Sequence, residues 1–158
     1  MDIPEENMSS LERLQEYEKG GYLFHGSPSS EIEILEPREA DDVDKSKTFN
    51  IDNAVFATSL VQSAIIFAVV GRNKLPKDIQ SGTWEVYWDE VDNAHAKIPK
   101  IWKDYVEKMT GTVYVLPSET FTERHHAQLK SKVPVKPADK VEVNMKDFLD
   151  IGGTVEWI

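Results

Sequence analysis

The sequence predicts an α+β fold, with many short strands and three or four helices packed outside them. Three observations carry that prediction. Short apolar runs rich in Val, Tyr, Trp and Phe recur at Tyr22–His25, Ala54–Ala57, Trp84–Trp88 and Thr112–Pro117, each bounded by turn-forming residues. Between them, Leu60 to Gly71 and Lys97 to Met109 carry apolar residues at helical spacing. Finally, no repeat, low-complexity tract or linker divides the 158 residues, so residues 1–158 read as one domain.

Composition narrows the function. Twenty-eight acidic residues against 18 basic ones leave a net charge of −10. That balance argues against a general nucleic-acid binder, because phosphate affinity comes mainly from Lys and Arg. The most basic stretch runs from Arg124 to Lys140, and its Lys130, Lys132, Lys136 and Lys140 read as the solvated face of a strand pair. Cysteine is absent, which excludes disulfides, thiolate nucleophiles and thiolate metal sites. The acidic start lacks the basic and apolar regions of a signal peptide, and no apolar run nears the roughly 20 residues a bilayer span requires. The expectation is a cytoplasmic protein with no membrane segment.

Taken in order, residues 1–8 read as frayed. Ser9 and Glu12 then form a capping box for a short helix with Leu11, Leu14 and Tyr17 on one side, ended by Gly20-Gly21. The strand Tyr22–His25 follows. Glu31 to Arg38 reads as a brief extended segment, and the acidic stretch from Glu39 to Asp52 as a mobile flap. Its Asp41, Asp42, Asp44 and Asp52 do not match an EF-hand, so no metal is assigned. After the strand Ala54–Ala57, Thr58 or Ser59 is expected to cap a deeply packed helix from Leu60, with Ser63 as a small packing residue bonding back to a carbonyl. Trp84–Trp88 reads as a strand, and Lys97–Met109 as an amphipathic helix with Pro99 in its first turn. Strands are expected at Thr112–Pro117, Gln128–Val135 and Lys140–Val143, with Phe121 anchoring the loop that follows the first of them. Asn144 caps a last short helix, and Thr154–Ile158 closes as a strand.

The chemistry-bearing residues are few. His25, His95, His125 and His126 make no helical metal pair, and neither a Gly-x-Ser-x-Gly elbow nor a Walker loop is present. The distinctive constellation is His25-Gly26-Ser27 at a strand exit. A glycine there leaves room for a ligand to approach the backbone, and a hydroxyl lies beside it.

This strand end, together with Val55-Phe56-Ala57 and Ser63-Ala64 six positions beyond Ala57, resembles the ADP-ribosyltransferase fold, and most of all the branch containing the poly(ADP-ribose) polymerases. The likeness runs from Tyr22 to Phe67 and more diffusely to Val143. It implies a split, mainly antiparallel sheet with flanking helices, and NAD as substrate. By the same resemblance, His25 would bond the adenosine ribose, the Gly26 backbone and Ser63 the nicotinamide amide, and Ser27, Val55 and Phe67 would line the site. The departures concern catalysis. Val55 and Ile66 replace the family's two tyrosines, and Phe67 stands in for the second only with a rotated helix. Gln128 occupies the place of the catalytic glutamate. A glutamine can bond a ribose hydroxyl but cannot stabilise an oxocarbenium with full charge or act as a base. Glu119 and Glu123, read as loop residues upstream, are the carboxylates left to reach in, with Glu123 carried forward beside Gln128. Two functions follow: transfer of ADP-ribose to a protein acceptor, or a catalytically degenerate nucleotide-binding or interaction module. RNA phosphotransfer ranks last, because the candidate loops are acidic.

Overall fold

A computed structural model describes residues 8–39 and 53–158. The chain begins with helix α1 (Ser10–Lys19), whose N-terminus is closed by the expected box. Ser9 Oγ accepts from the Glu12 amide at 3.1 Å while Glu12 accepts from the Ser9 amide at 3.2 Å. Then come β1 (Leu23–Ser27), β2 (Arg38–Glu39), β3 (Asn53–Thr58), α2 (Val61–Val69), β4 (Glu85–Trp88), β5 (Ala94–Ile98), α3 (Lys103–Val106), β6 (Thr110–Leu116), β7 (Phe121–His125), β8 (Gln128–Ser131), β9 (Asp139–Asn144), α4 (Met145–Asp150) and β10 (Thr154–Trp157). Helices and a mainly antiparallel sheet make the fold α+β. The frayed start and the acidic flap of the sequence reading lie largely outside the described residues.

The main sheet runs β7-β8-β3-β1-β6-β9, with β2 added on β3, and every pair in it is antiparallel. A smaller sheet runs β10-β5-β4, and its β10–β5 pair is parallel. Side-chain alternation divides the main sheet into two buried faces. Phe24, Val113, Val115, Val141 and Val143 point to α2 and the larger core; Leu23, Val55, Ala57, Tyr114, Leu116 and Leu129 point the other way, under Leu35 and Val135. The second face is closed by the segment after β1, which Tyr114 pins by donating its hydroxyl to the Ser29 carbonyl (2.7 Å) and accepting from the Ile32 amide (3.1 Å).

Helix α2 is the hub of the larger core. It is buried almost all round, from Val61 to Val69 with Phe67 the exception, as an apolar helix between two sheets must be. Two glycines seat it. A Cβ on Gly26 would overlap the Ala64 carbonyl and lie 2.8 Å from the Ala68 nitrogen; one on Gly111 would overlap the Ala68 carbonyl.

Several sequence expectations are corrected here. Lys97–Met109 is not one helix. Ala94–Ile98 alternates buried and half-buried residues as a strand, Pro99 ends it, and only a 3₁₀ turn (Lys100–Trp102) and the single-turn α3 follow. The apolar residues at three-and-four spacing belong to two elements that meet the same core. The loop expected after Thr112–Pro117, with Phe121 and Glu123 in it, gives way to β7 at Phe121, so Glu123 sits on a strand. The strand expected over Gln128–Val135 ends at Ser131. Lys130 is 5% exposed and faces inward, unlike Lys132, Lys136 and Lys140. Helix α2 starts at Val61 without a side-chain cap of its own; Thr58 Oγ1 takes the Leu60 amide, and the Glu18 carboxylate of α1 takes the Val61 amide at 2.8 Å. No helix among the described residues is long and apolar enough to cross a membrane.

Candidate functional site

The site is built where the sheet parts. β1 and β6 are registered along five pairs, from Leu23 with Leu116 to Ser27 with Thr112. On its other side β1 pairs with β3 at Phe24 and Thr58, and among the described residues no register pair joins Gly26 or Ser27 to β3. The two strands separate just past the start of β1, leaving a notch at the strand exit. His25 stands in it. Its Nδ1 bonds the Phe56 carbonyl at 2.9 Å, so a side chain replaces the backbone ladder at that point.

That bond determines the ring's chemistry. A carbonyl only accepts, so Nδ1 carries the proton. Burial disfavours the imidazolium and holds the His25 pKa below the ordinary 6.5; the Phe56 bond acts against this and the Arg38 charge adds to it. A neutral ring protonated on Nδ1 leaves Nε2 an acceptor, and among the described residues Nε2 has no hydrogen-bond partner. The ring is half-buried. It is set to accept a hydroxyl donor from a ligand lying in the notch.

The other residues singled out in the sequence fall in different places around this point. Ser27 follows on the same face as His25 and accepts the Ser29 amide at 3.1 Å, which turns the chain away. Val55 is buried in the second core, one strand over, with no polar role. Gly26 turns its missing side chain toward α2, so its first task is helix packing, and any ligand would meet only its backbone edge.

Ser63 and Phe67 share one stripe of α2, four residues apart and flanking the Ala64 backbone that rests on Gly26. Ser63 is 3% exposed, and instead of serving a carbonyl its hydroxyl accepts the Trp88 indole N–H at 2.8 Å. Phe67 projects outward, 43% exposed, with its ring 5.6 Å from that of Trp84. The neighbouring Ile66 is fully buried, so of the two it is Phe67 that reaches the surface. Sequence reasoning missed Trp84 and Trp88 as neighbours of this stripe, because β4 reaches α2 from a separate sheet.

Gln128 opens β8 opposite Thr58, on the α2 face of the sheet and one strand from β3. Glu123 lies farther out, registered with Lys130, which is registered with Phe56. At about 4.8 Å per strand, its backbone is about 14 Å from the Gly26 edge. Its carboxylate stands 3.9 Å from Lys130 Nζ and 3.9 Å from Lys132 Nζ. Glu119 is an exposed turn residue before β7. The structure therefore brings these residues onto three adjacent strands and the helix across them but divides them between two faces: His25, Ser27 and Val55 point away from α2, whereas Gln128, Ser63 and Phe67 lie on its side, and Glu123 stays at the rim.

Two surface hollows lie elsewhere. The larger, about 620 Å³, opens between the α2 N-terminus and the β7–β8 turn, lined by Ser59, Leu60, Asp92, Arg124, His126 and Ala127. The smaller, about 370 Å³, is lined by Lys74, Asp104, Tyr105, Lys108 and Met109. Neither includes His25, and neither gathers acid, base and nucleophile. Among the described residues no cluster of three His, Asp or Glu has the geometry of a metal centre. Comparison with models of protein families, with curated proteins and with solved structures finds no match for this chain.

Proposed function

We propose that the protein is an NAD-binding member of the ADP-ribosyltransferase-like class, with the dinucleotide seated in the notch between β1 and β3. The observation that carries this reading is the His25 ring, neutral, fixed by the Phe56 carbonyl and presenting an Nε2 acceptor that has no partner among the described residues where the strands part. A ribose hydroxyl is a donor that such an acceptor can take. The adjacency of β3 and β1 supports it, because Val55 and His25 come from distant stretches of chain and share one face of neighbouring strands, while Gln128 of β8 lies on the α2 face.

Between transfer and binding alone, the geometry favours binding. Gln128, the group on the near strand, carries no charge with which to stabilise an oxocarbenium or deprotonate an acceptor. Glu123 has the charge, but it is about three strands away on a fixed β-ladder and faces two lysines. In this reading the protein holds NAD, or the ADP-ribose part of it, and transfer to a protein acceptor is slow or lost.

Calorimetric titration of NAD into wild type and His25→Ala tests the reading, with nicotinamide release followed in the same samples. Binding by wild type, its loss in a His25→Ala variant that melts cooperatively, and no nicotinamide release are the expected results. Release abolished by Gln128→Ala or Glu123→Ala would restore the transferase. Equal binding by wild type and variant, or none at millimolar NAD, would remove the assignment.

A further inference from the structure

We propose that the outer edge of β4 is a docking site for an extended, basic peptide segment, which adds to the small sheet as a fourth strand. The proposal is independent of the nucleotide reading. Among the described residues β4 is a terminal strand, with β5 on one side and no strand on the other.

Exposed edges are normally guarded by Lys, Pro or a bulge. The edge strands elsewhere show such guards: β7 is bulged between Phe121 and Glu123 and carries Arg124, and Lys103 lies over the Trp157 ring of β10. β4 has none. Between Lys77 and Lys97 there is no Lys or Arg, and between Pro76 and Pro99 no Pro. Its register with β5 runs unbroken from Glu85 with Lys97 to Trp88 with Ala94.

What the edge offers is aromatic on both faces and acidic along its length. Tyr87 is 49% and Trp88 45% exposed, on opposite faces. Glu85 is exposed at the start of the strand and Glu90 in the turn that follows it. An incoming strand would gain main-chain bonds from the edge and would place alternate side chains beside Trp88 on one face and beside Glu85 and Tyr87 on the other. Aliphatic residues suit the first row. Lysine or arginine suits the second, through ion pairing with Glu85 and the acids that follow the strand, since the Tyr87 ring is already stacked on His95 and covered by Lys97. The same charge pattern disfavours a second copy of this chain, since antiparallel pairing of two β4 edges would set acids against acids.

The test uses two amidated decapeptides, one alternating lysine and valine and one alternating glutamate and valine, titrated into the full-length protein while amide chemical shifts are recorded. The lysine peptide is expected to saturate shifts along 84–92, with affinity falling as salt is raised. The glutamate peptide should bind at least about tenfold more weakly, and the double variant Glu85→Gln/Glu90→Gln, which sets no like charge against Lys97, should abolish the preference while still melting cooperatively. Equal binding of both peptides, shifts centred away from β4, absence of binding, or concentration-dependent dimerisation with shifts along β4 would each overturn the proposal.

Discussion

Replacing Gly26 with alanine separates the role this glycine has in the structure from the one its motif implies. The added Cβ would overlap the Ala64 carbonyl and lie 2.8 Å from the Ala68 nitrogen and 2.9 Å from the Ala64 carbonyl carbon, where ordinary Cβ contact begins at 3.4 Å. All three are backbone atoms of α2, so no rotamer change relieves them. The helix must retreat, loosening the contacts of Ala64 and Ala68 with the sheet. Overpacking costs about 1–3 kcal/mol, and a backbone clash belongs at the upper end, about 3 kcal/mol. For a domain of this size that lowers the melting temperature by about 6–12 °C. Gly21→Ala is the control: its backbone has φ +85° with nothing within 4 Å of the new methyl, so strain alone applies, about 1 kcal/mol. Thermal and urea unfolding of both variants, with the urea slope checked for constancy, measures the difference. A Gly26→Ala protein as stable as the Gly21→Ala control would refute the packing argument and return Gly26 to a purely ligand-facing role.

Phe148 is fully buried in the larger core and its ring packs against Gly153, so Phe148→Ala should cost about 3–5 kcal/mol in urea unfolding. Removing the Ser63 hydroxyl leaves the Trp88 indole to water at a half-exposed ring; Ser63→Ala should cost about 0.5–1 kcal/mol and alter indole emission, and an unchanged spectrum would contradict the bond. His25 has a folded pKa below its unfolded value of 6.5, so the unfolded chain takes up the extra proton. Its contribution is complete above pH 6.5 and declines as pH falls toward the folded pKa, at no more than about 1.4 kcal/mol per pH unit. Wild type should therefore lose stability between pH 7 and 5 relative to His25→Asn, and parallel profiles would refute the burial argument. Asp89 is held below the usual carboxylate range chiefly by its bond with His95, and His95→Ala should raise its pKa in a carboxylate NMR titration.

Local chemistry was legible in the sequence where one or two residues decide it. The Ser9–Glu12 box needs no tertiary information, and neither does Asn144, which caps α4 by accepting the Asp147 amide at 3.0 Å. The strand ending at His25-Gly26-Ser27 was readable from its apolar run. Its separation from β3 was not, because that depends on how two distant segments pair. β5 was hidden because Ile98, Ile101, Trp102, Tyr105, Val106 and Met109 mimic a helical stripe, while the alternation of Ala94, Ala96 and Ile98 uses residues too small to stand out. β7 was hidden for the opposite reason. Four of its five residues are exposed, as on an outermost strand, so no apolar pattern marks it. Non-local pairing also concealed the parallel β10–β5 ladder, and with it the arrival of Trp84 and Trp88 beside Ser63 and Phe67.

The most direct test of the central claim is amide shift mapping of the labelled protein during an NAD titration. The account predicts saturable shifts at His25–Ser27, Val55–Phe56 and Ser63–Phe67, with the Trp88 indole resonance moving as its bond to Ser63 is disturbed. Shifts confined to the hollow around Ser59, Arg124 and Ala127, or no shifts at millimolar NAD, would contradict it.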